Sequence, residues 1–223
     1  MTKIQIGPNC NIEGNVILGY DKLSKLRKGY EKRDSTTIIC DGVRIRSGSV
    51  IYAGCIVEAN SHIGHNVVMR EFSTLGVESS LGSGVVCEGY THIGDHTTVH
   101  AQTHLTARMS IGSYCFIGPN VTTMNDRKIR YFRPNIKDSQ DMGPIIGDGV
   151  AIGGGAIILP QVQIHMGCLI AAGSIVTKQC TRFGVYMGSP AVRVRNVKPE
   201  EVVDYLKSFY NQWLCEQPIK ASG

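Results

Sequence analysis

Residues 57–81 read Val57-Glu58-Ala59-Asn60-Ser61-His62-Ile63-Gly64-His65-Asn66-Val67-Val68-Met69-Arg70-Glu71-Phe72-Ser73-Thr74-Leu75-Gly76-Val77-Glu78-Ser79-Ser80-Leu81. Apolar side chains stand at Val57, Ile63, Met69, Leu75 and Leu81, always six residues apart. Working outward, the step holds without a slip from Ile39 to Ile117. It begins earlier at Ile6, Ile12 and Leu18, and it resumes from Ile146 to Val176. Four residues after each anchor comes a second position, nearly always small, such as Ser61, Val67, Ser73 and Ser79. Gly, Asn and Asp crowd the places between.

A period of six is neither the helical repeat nor a strand's simple alternation. It predicts a short flat strand and a sharp turn, repeated. Three such units close one triangular coil of 18 residues. Large aliphatics fill the prism, small residues let the corners close, and Gly and Asn supply the positive φ of the turns. The composition agrees: aromatics are 7% of 223 residues and charged residues 18%, against about 25% charged in an ordinary domain. The 26 glycines exceed the usual share. No apolar run reaches the ~18 residues of a membrane span, and the pattern starts at once, so no signal peptide is expected.

Cys10, Cys55, Cys115, Cys168 and Cys180 fall on the small inward position and Cys87 on an anchor. They read as small buried hydrophobes, not as disulfides or a metal cluster, which fits a reducing, cytoplasmic setting.

The net charge is +5, too mild to argue for nucleic acid. It is localised, however. The pattern breaks at about 20–36 and 126–144, and these excursions carry +3 and +2, so the rest of the chain sums to zero. Long basic loops on a solenoid flank suit an anionic small molecule. After Val176 the pattern gives way to a turn-rich strap, Phe183–Ala191. A helix from Pro199 then carries Val202, Val203, Leu206, Phe209, Tyr210 and Trp213 on one stripe, placed to cap the open end of the solenoid. The expected organisation is a β-helix over 1–181 and a strap with a capping helix over 182–223.

The repeat resembles that of the hexapeptide-repeat acyltransferases, whose fold is the left-handed parallel β-helix. The resemblance covers roughly 4–19, 37–124 and 145–181. The segments Ile145–Ala156, Ile170–Lys178 and Gly188-Ser189-Pro190-Ala191 look like the coenzyme A end of the acetyl-CoA-dependent members. This implies a pantetheine track along Gly155, Ala172 and Gly173, with Lys178, Arg193 and Arg195 placed to meet phosphates. Gly118-Pro119-Asn120-Val121-Thr122-Thr123-Met124-Asn125-Asp126 looks like the members that acylate the amine of a nucleotide-linked amino sugar. Those members typically have Phe-Thr where this chain has Thr-Met. Their active-site Asn carries over to Asn125.

The reaction needs a base for the attacking amine and donors for the oxyanion. Candidate bases are His100, His104 and His65, in that order. Asn66, Arg70, Glu71, Asp126 and Arg127 are candidate acceptor contacts. Residues 18 apart stack in columns, about 4.8 Å per coil. His104 then lies under Thr122, close to Asn125 and the second excursion, and Arg70 lies under Glu88 as a cross-coil ion pair. The resemblance further implies a homotrimer with sites between neighbouring coils, acyl-CoA as co-substrate and no metal. Two alternatives share the fold: O-acetylation of a sugar or small molecule, and a γ-class carbonic-anhydrase-like metal enzyme. The His96, His100 and His104 spacing invites the second, but it puts the three rings on different faces.

Overall fold

The computed structural model describes residues 3–21, 35–129, 132, 133, 135, 136 and 141–217. Short strands recur every six residues and pair in parallel with the strand 18 residues on. The ladders run Ile56–Thr74–His92–Ser110 on a first face, His62–Ser80–Thr98–Phe116 on a second and Val68–Val86–His104–Thr122 on a third. The three sheets contain eight, ten and eight strands among the described residues. The fold is the left-handed parallel β-helix.

The anchors form one continuous core. From Ile39 to Ile117, and again from Ile146 to Val176, none is more than 3% exposed, so the register survives the second excursion. The small inward position does more than save space. The buried hydroxyls of Ser49, Ser61, Ser79, Thr97 and Thr103 donate to the carbonyls of Gly64, Gly76, Gly94, Gly112 and Gly118, 2.6–2.9 Å away in the next coil's turn. Ser49, Ser79 and Thr97 also accept from the amides of Val67, Thr97 and Cys115. Each corner thus satisfies polar groups that burial would otherwise leave costly. Cys55 and Cys115 make the equivalent contact through Sγ. All eight cysteines are free thiols, five of them buried. Burial pushes Cys55, Cys115 and Cys180 up to about 12, which keeps them unreactive thiols.

Every turn places one residue in the left-handed region. Gly and Asn do so as expected, but so do Phe72, Glu78, Tyr90, His96, Gln102, Arg108 and Tyr114, at φ 52–62°. The amides of the last six are held by the coil below, as Tyr90 N is by Glu71 O at 2.9 Å. Stacking adds to this, with the Phe72 and Tyr90 rings 5.3 Å apart. These contacts offset a backbone cost of about 1 kcal/mol or more per residue.

Both excursions leave the same corner, between the third and first faces. Strand Ile17–Tyr20 precedes the first and Thr122–Thr123 the second. The first-face ladder closes across each, pairing Ile4 with Thr37 and Ser110 with Ile145. The first excursion's cations, Lys22 to Arg33, lie outside the described residues, as do Arg130 and Lys137 of the second.

The C-terminal segment differs from expectation. Strands Gly184–Gly188 and Ala191–Asn196 form a hairpin that extends the second face. Tyr186 from this strap enters the prism core, its hydroxyl accepting from Thr181 N at 2.7 Å. The strap therefore closes the prism. Helix α1 (Lys207–Glu216), preceded by 3-10 turns at Pro199–Glu201 and Asp204–Leu206, packs beside the corner between the first and second faces. Tyr205 stacks on Tyr114 at 4.5 Å, and Leu206 lies over Gly149. Phe183, Tyr210 and Trp213 form a separate aromatic cluster. At the other end Ile4, Ile6 and Ile17 are 41–53% exposed.

Candidate active site

The corner that releases the excursions gathers most of the polar candidates. Glu88 turns upward there. Its Oε2 accepts from Ala107 N at 3.0 Å and from Thr106 Oγ1 at 3.3 Å, and its Oε1 lies 3.8 Å from His104 Nε2. At that separation the Glu88–His104 contact is a charge pair rather than a formed hydrogen bond. The His104 ring, aided by the Ala107 amide and opposed by partial burial, holds the Glu88 carboxyl down at about 2. In return Glu88 raises the His104 pKa against the opposing effect of burial.

Thr123 stands where the series calls for an aliphatic anchor. Its hydroxyl donates to His104 O at 3.2 Å and accepts from Thr106 N at 2.8 Å, which fixes the backbone on which His104 sits. Asn125 follows two residues later, half-buried. Its side chain has no hydrogen bond to another described residue.

The Arg70–Glu88 ion pair expected from the column arithmetic is absent. Arg70 instead clamps Glu71, Nε to Oε2 at 3.2 Å and Nη2 to Oε1 at 3.0 Å. The reason is local. Gly89 has no side chain, and a Cβ there would press on Glu71, 3.1 Å from its backbone oxygen and 3.2 Å from its carboxyl carbon, while the Ala107 amide draws Glu88 the other way. Glu88 is thus the site residue that sequence reasoning missed. The register that pairs Val86 with His104 was its only signal.

Above Asn125 the excursion and the next coils enclose a pocket of about 450 Å³. Asp126, Arg127 and Lys178 all line it, with Met124, Leu159 and Gln161. Asp126 accepts from Lys128 N at 3.0 Å, and Arg127 donates to Gln161 Oε1 at 3.4 Å. Lys178 has no partner among the described residues.

A second group lies on the corner between the second and third faces. His65 Nδ1 is 3.0 Å from Ser47 Oγ, and Asn66 takes a left-handed turn position. The His100 ring packs 4.8 Å from Phe116. Four and five coils above Asn66's level, Gly155 and Gly173 hold φ +68° with open space where a Cβ would stand, and Ala172 is exposed beside them. The structure thus sets His104 one coil below Thr122, on the strand that leads to Asn125, and gathers Lys178, Asp126 and Arg127 around one pocket. It leaves His65, Asn66, His100 and the Gly155–Ala172–Gly173 track one corner away.

Arg193 and Arg195 are engaged elsewhere. Arg193 donates to Thr181 Oγ1 at 2.6 Å and Asn196 Oδ1 at 2.9 Å, and Arg195 forks onto Glu201 at 2.6 and 2.7 Å. His96, His100 and His104 sit at separate places: His96 lies at a third site, between Glu78 and Tyr114. No group of three or more His, Cys, Asp or Glu among the described residues is placed to hold a metal, and no helix among them is long and apolar enough to cross a membrane.

Fold and corners together define a hexapeptide-repeat solenoid. The family model described as bacterial transferase hexapeptide (six repeats) matches residues 36–71 and 143–178. The chain carries this repeat over those residues and shares the fold of the hexapeptide-repeat acyltransferases. It is 29% identical over 211 residues to the bifunctional protein GlmU of Pseudomonas entomophila, covering 86% of this chain and 43% of that one. It is 30% identical over 207 residues to the mitochondrial gamma carbonic anhydrase 2 of Arabidopsis thaliana, covering 91% of this chain and 60% of that one. The chain therefore spans about half the length of these curated relatives. Among solved structures, a hexapeptide-repeat containing acetyltransferase from Vibrio cholerae superposes with a TM-score of 0.51 at 28% identity, over 56% of this chain and 73% of that one.

Proposed function

We propose that this chain is an acyl-CoA-dependent acyltransferase that N-acylates, most simply N-acetylates, the amine of a nucleotide-linked amino sugar. The observation that carries the reading is the Glu88–His104 pair, one coil below the strand that leads into the second excursion. With Nε2–H directed at Glu88, His104 Nδ1 is the basic atom. It takes the proton as the amine nitrogen attacks the thioester carbonyl carbon. The C–N bond forms, the oxyanion collapses, the C–S bond breaks, and the proton passes to the leaving thiolate. Asn125, whose amide hydrogens have no partner among the described residues, orients the amine or meets the oxyanion. His104 takes precedence over His100 and His65 because it alone of the three pairs with a carboxylate.

The acyl-CoA arm runs past the open backbone at Gly155, Ala172 and Gly173, with Lys178 for a phosphate. These elements occupy different corners of one prism. A cyclic homotrimer, whose interfaces join unlike surfaces, brings one prism's track beside its neighbour's excursion. The paired state of Arg193 and Arg195 leaves them a structural part.

The test is thiol release from acetyl-CoA with a panel of nucleotide-linked amino sugars, free amino sugars and hydroxyl acceptors. Turnover confined to hydroxyl acceptors would replace N-acylation by O-acetylation, and no turnover with any acceptor would overturn the reading. A second reading is favoured by the 30% identity with the gamma carbonic anhydrase over 91% of this chain. Stoichiometric zinc in the purified chain, with carbon dioxide hydration that a chelator abolishes, would establish it instead.

A further inference from the structure

On the first-face side of the second excursion lies another pocket, of about 550 Å³, lined by Tyr90, His92, Arg108, Met109, Ser110, Met142 and Ile145. Its size is that of a small-molecule site, about 300–1,000 Å³. The repeat explains how it is built. Tyr90 and Arg108 occupy successive left-handed turn positions, φ 62° and 57°, in the column that begins Gly54, Phe72. The next turn of that column is replaced by the excursion, whose returning limb is stitched in: Gly143 N donates to Arg108 O at 3.0 Å and Gln161 N to Met142 O at 3.2 Å. Met142 and Ile145, 39% and 47% exposed, stand over the gap. His92 and Ser110 project from the first face below. His92 Nδ1 is engaged by Thr74 Oγ1 at 3.0 Å, which leaves Nε2 without a partner among the described residues.

The chemistry is specific. One wall is an aromatic ring already seated on Phe72. Beside it is an exposed guanidinium with no carboxylate or other partner among the described residues. The remainder is apolar, with a ring nitrogen and a hydroxyl that can hydrogen-bond. An aromatic face beside an unpaired cation suits a planar base joined to phosphate. Arg108 lies one residue beyond Ala107, the residue stacked under Asn125, so the pocket and Asn125 flank the two limbs of one excursion. We infer that this pocket holds the nucleoside diphosphate end of the acceptor, with Tyr90 against the base and Arg108 on the phosphates. The inference rests on the acyltransferase reading for the word acceptor, but the binding site itself does not depend on turnover.

The test is calorimetric binding of uridine and thymidine diphosphates without acyl-CoA, in parallel with binding of coenzyme A alone. Tyr90→Asn and Arg108→Asn suit the left-handed turn, which Asn tolerates. Each is expected to weaken the nucleoside diphosphate by about tenfold or more, with coenzyme A affinity unchanged, and Tyr90→Phe to retain binding. In the unaltered chain the His92 ring signals, assigned with His92→Gln, are expected to shift on titration with the same diphosphate. Loss of coenzyme A affinity alone in the Asn variants would give the pocket to the donor and overturn the inference. So would unchanged diphosphate affinity in both variants, an unmoved His92, or failure of every nucleoside diphosphate to bind. Binding with no thiol release from any acceptor would leave the pocket standing and remove the acyltransferase reading.

Discussion

Replacing His104 by Gln separates chemistry from fold. The side chains of His104 and Glu88 are 42% and 31% exposed and 3.8 Å apart. A charge pair so open to water contributes about 0.2–1 kcal/mol to stability, so His104→Gln should lower the melting temperature by at most about 2–4 °C for a chain of this size. Removing a general base costs about 10²–10⁴ in rate, so kcat should fall by that much with the oligomeric state unchanged. The pH dependence adds a second readout. Because Glu88 raises the His104 pKa, the wild-type rate should climb with pH through that elevated value. Glu88→Gln removes the leading cause and should move the acid limb to lower pH, with a smaller loss of plateau rate than His104→Gln. The pair's stability follows the same signs. It is complete between the ordinary carboxylate and imidazole ranges, lost in acid as pH falls towards the Glu88 value of about 2, and lost in base as His104 deprotonates. The assay is thiol release from acetyl-CoA across pH 5–9, roughly the range over which imidazoles titrate. Unchanged kcat in His104→Gln, or an acid limb in Glu88→Gln that moves upward, would refute the assignment.

Three further outcomes are expected. Asn125→Ala should cost about a hundredfold or more in turnover while light scattering shows the same assembly as for the unaltered chain. Gly173→Asn has room and a tolerated turn, so the fold should persist while KM for acetyl-CoA rises by at least about tenfold, the scale of about 1.4 kcal/mol of lost contact. Thr97→Val keeps shape but strands Gly112 O and Cys115 N, which Thr97 now bonds at 2.9 and 3.0 Å. Each stranded group costs about 1–3 kcal/mol, and urea unfolding should show the loss.

The prism was readable because its cause is periodic. Burial repeats every sixth residue, and any sequence that meets that demand exposes it. The column arithmetic also put His104 under Thr122 correctly. It could not say which way a carboxylate turns. Whether Glu88 faces Arg70 or Ala107 is settled by a backbone amide and by the missing side chain at Gly89, neither of which has a period. The split of candidates between two corners was hidden for a related reason: His100 and His104 are close in sequence, yet a turn lies between them. The stripe of the C-terminal helix shows that it packs, because burial makes stripes. It does not show whether the partner is the end of the prism or its side. Tyr186, a ring inside a core expected to be filled by large aliphatics, is tolerated because the prism ends there.

The two ends of the solenoid are finished differently. One is plugged by Tyr186 and braced by the strap, and the other leaves Ile4, Ile6 and Ile17 substantially open to water. Each coil touches only its neighbours, so stability passes along the stack step by step. Amide exchange should therefore run as a gradient, fastest in the coil of Ile6 and Ile12 and slowest towards Ile152 and Ile170. The corner of Glu88 and His104, set well above the open end, would keep its geometry while the first coils breathe.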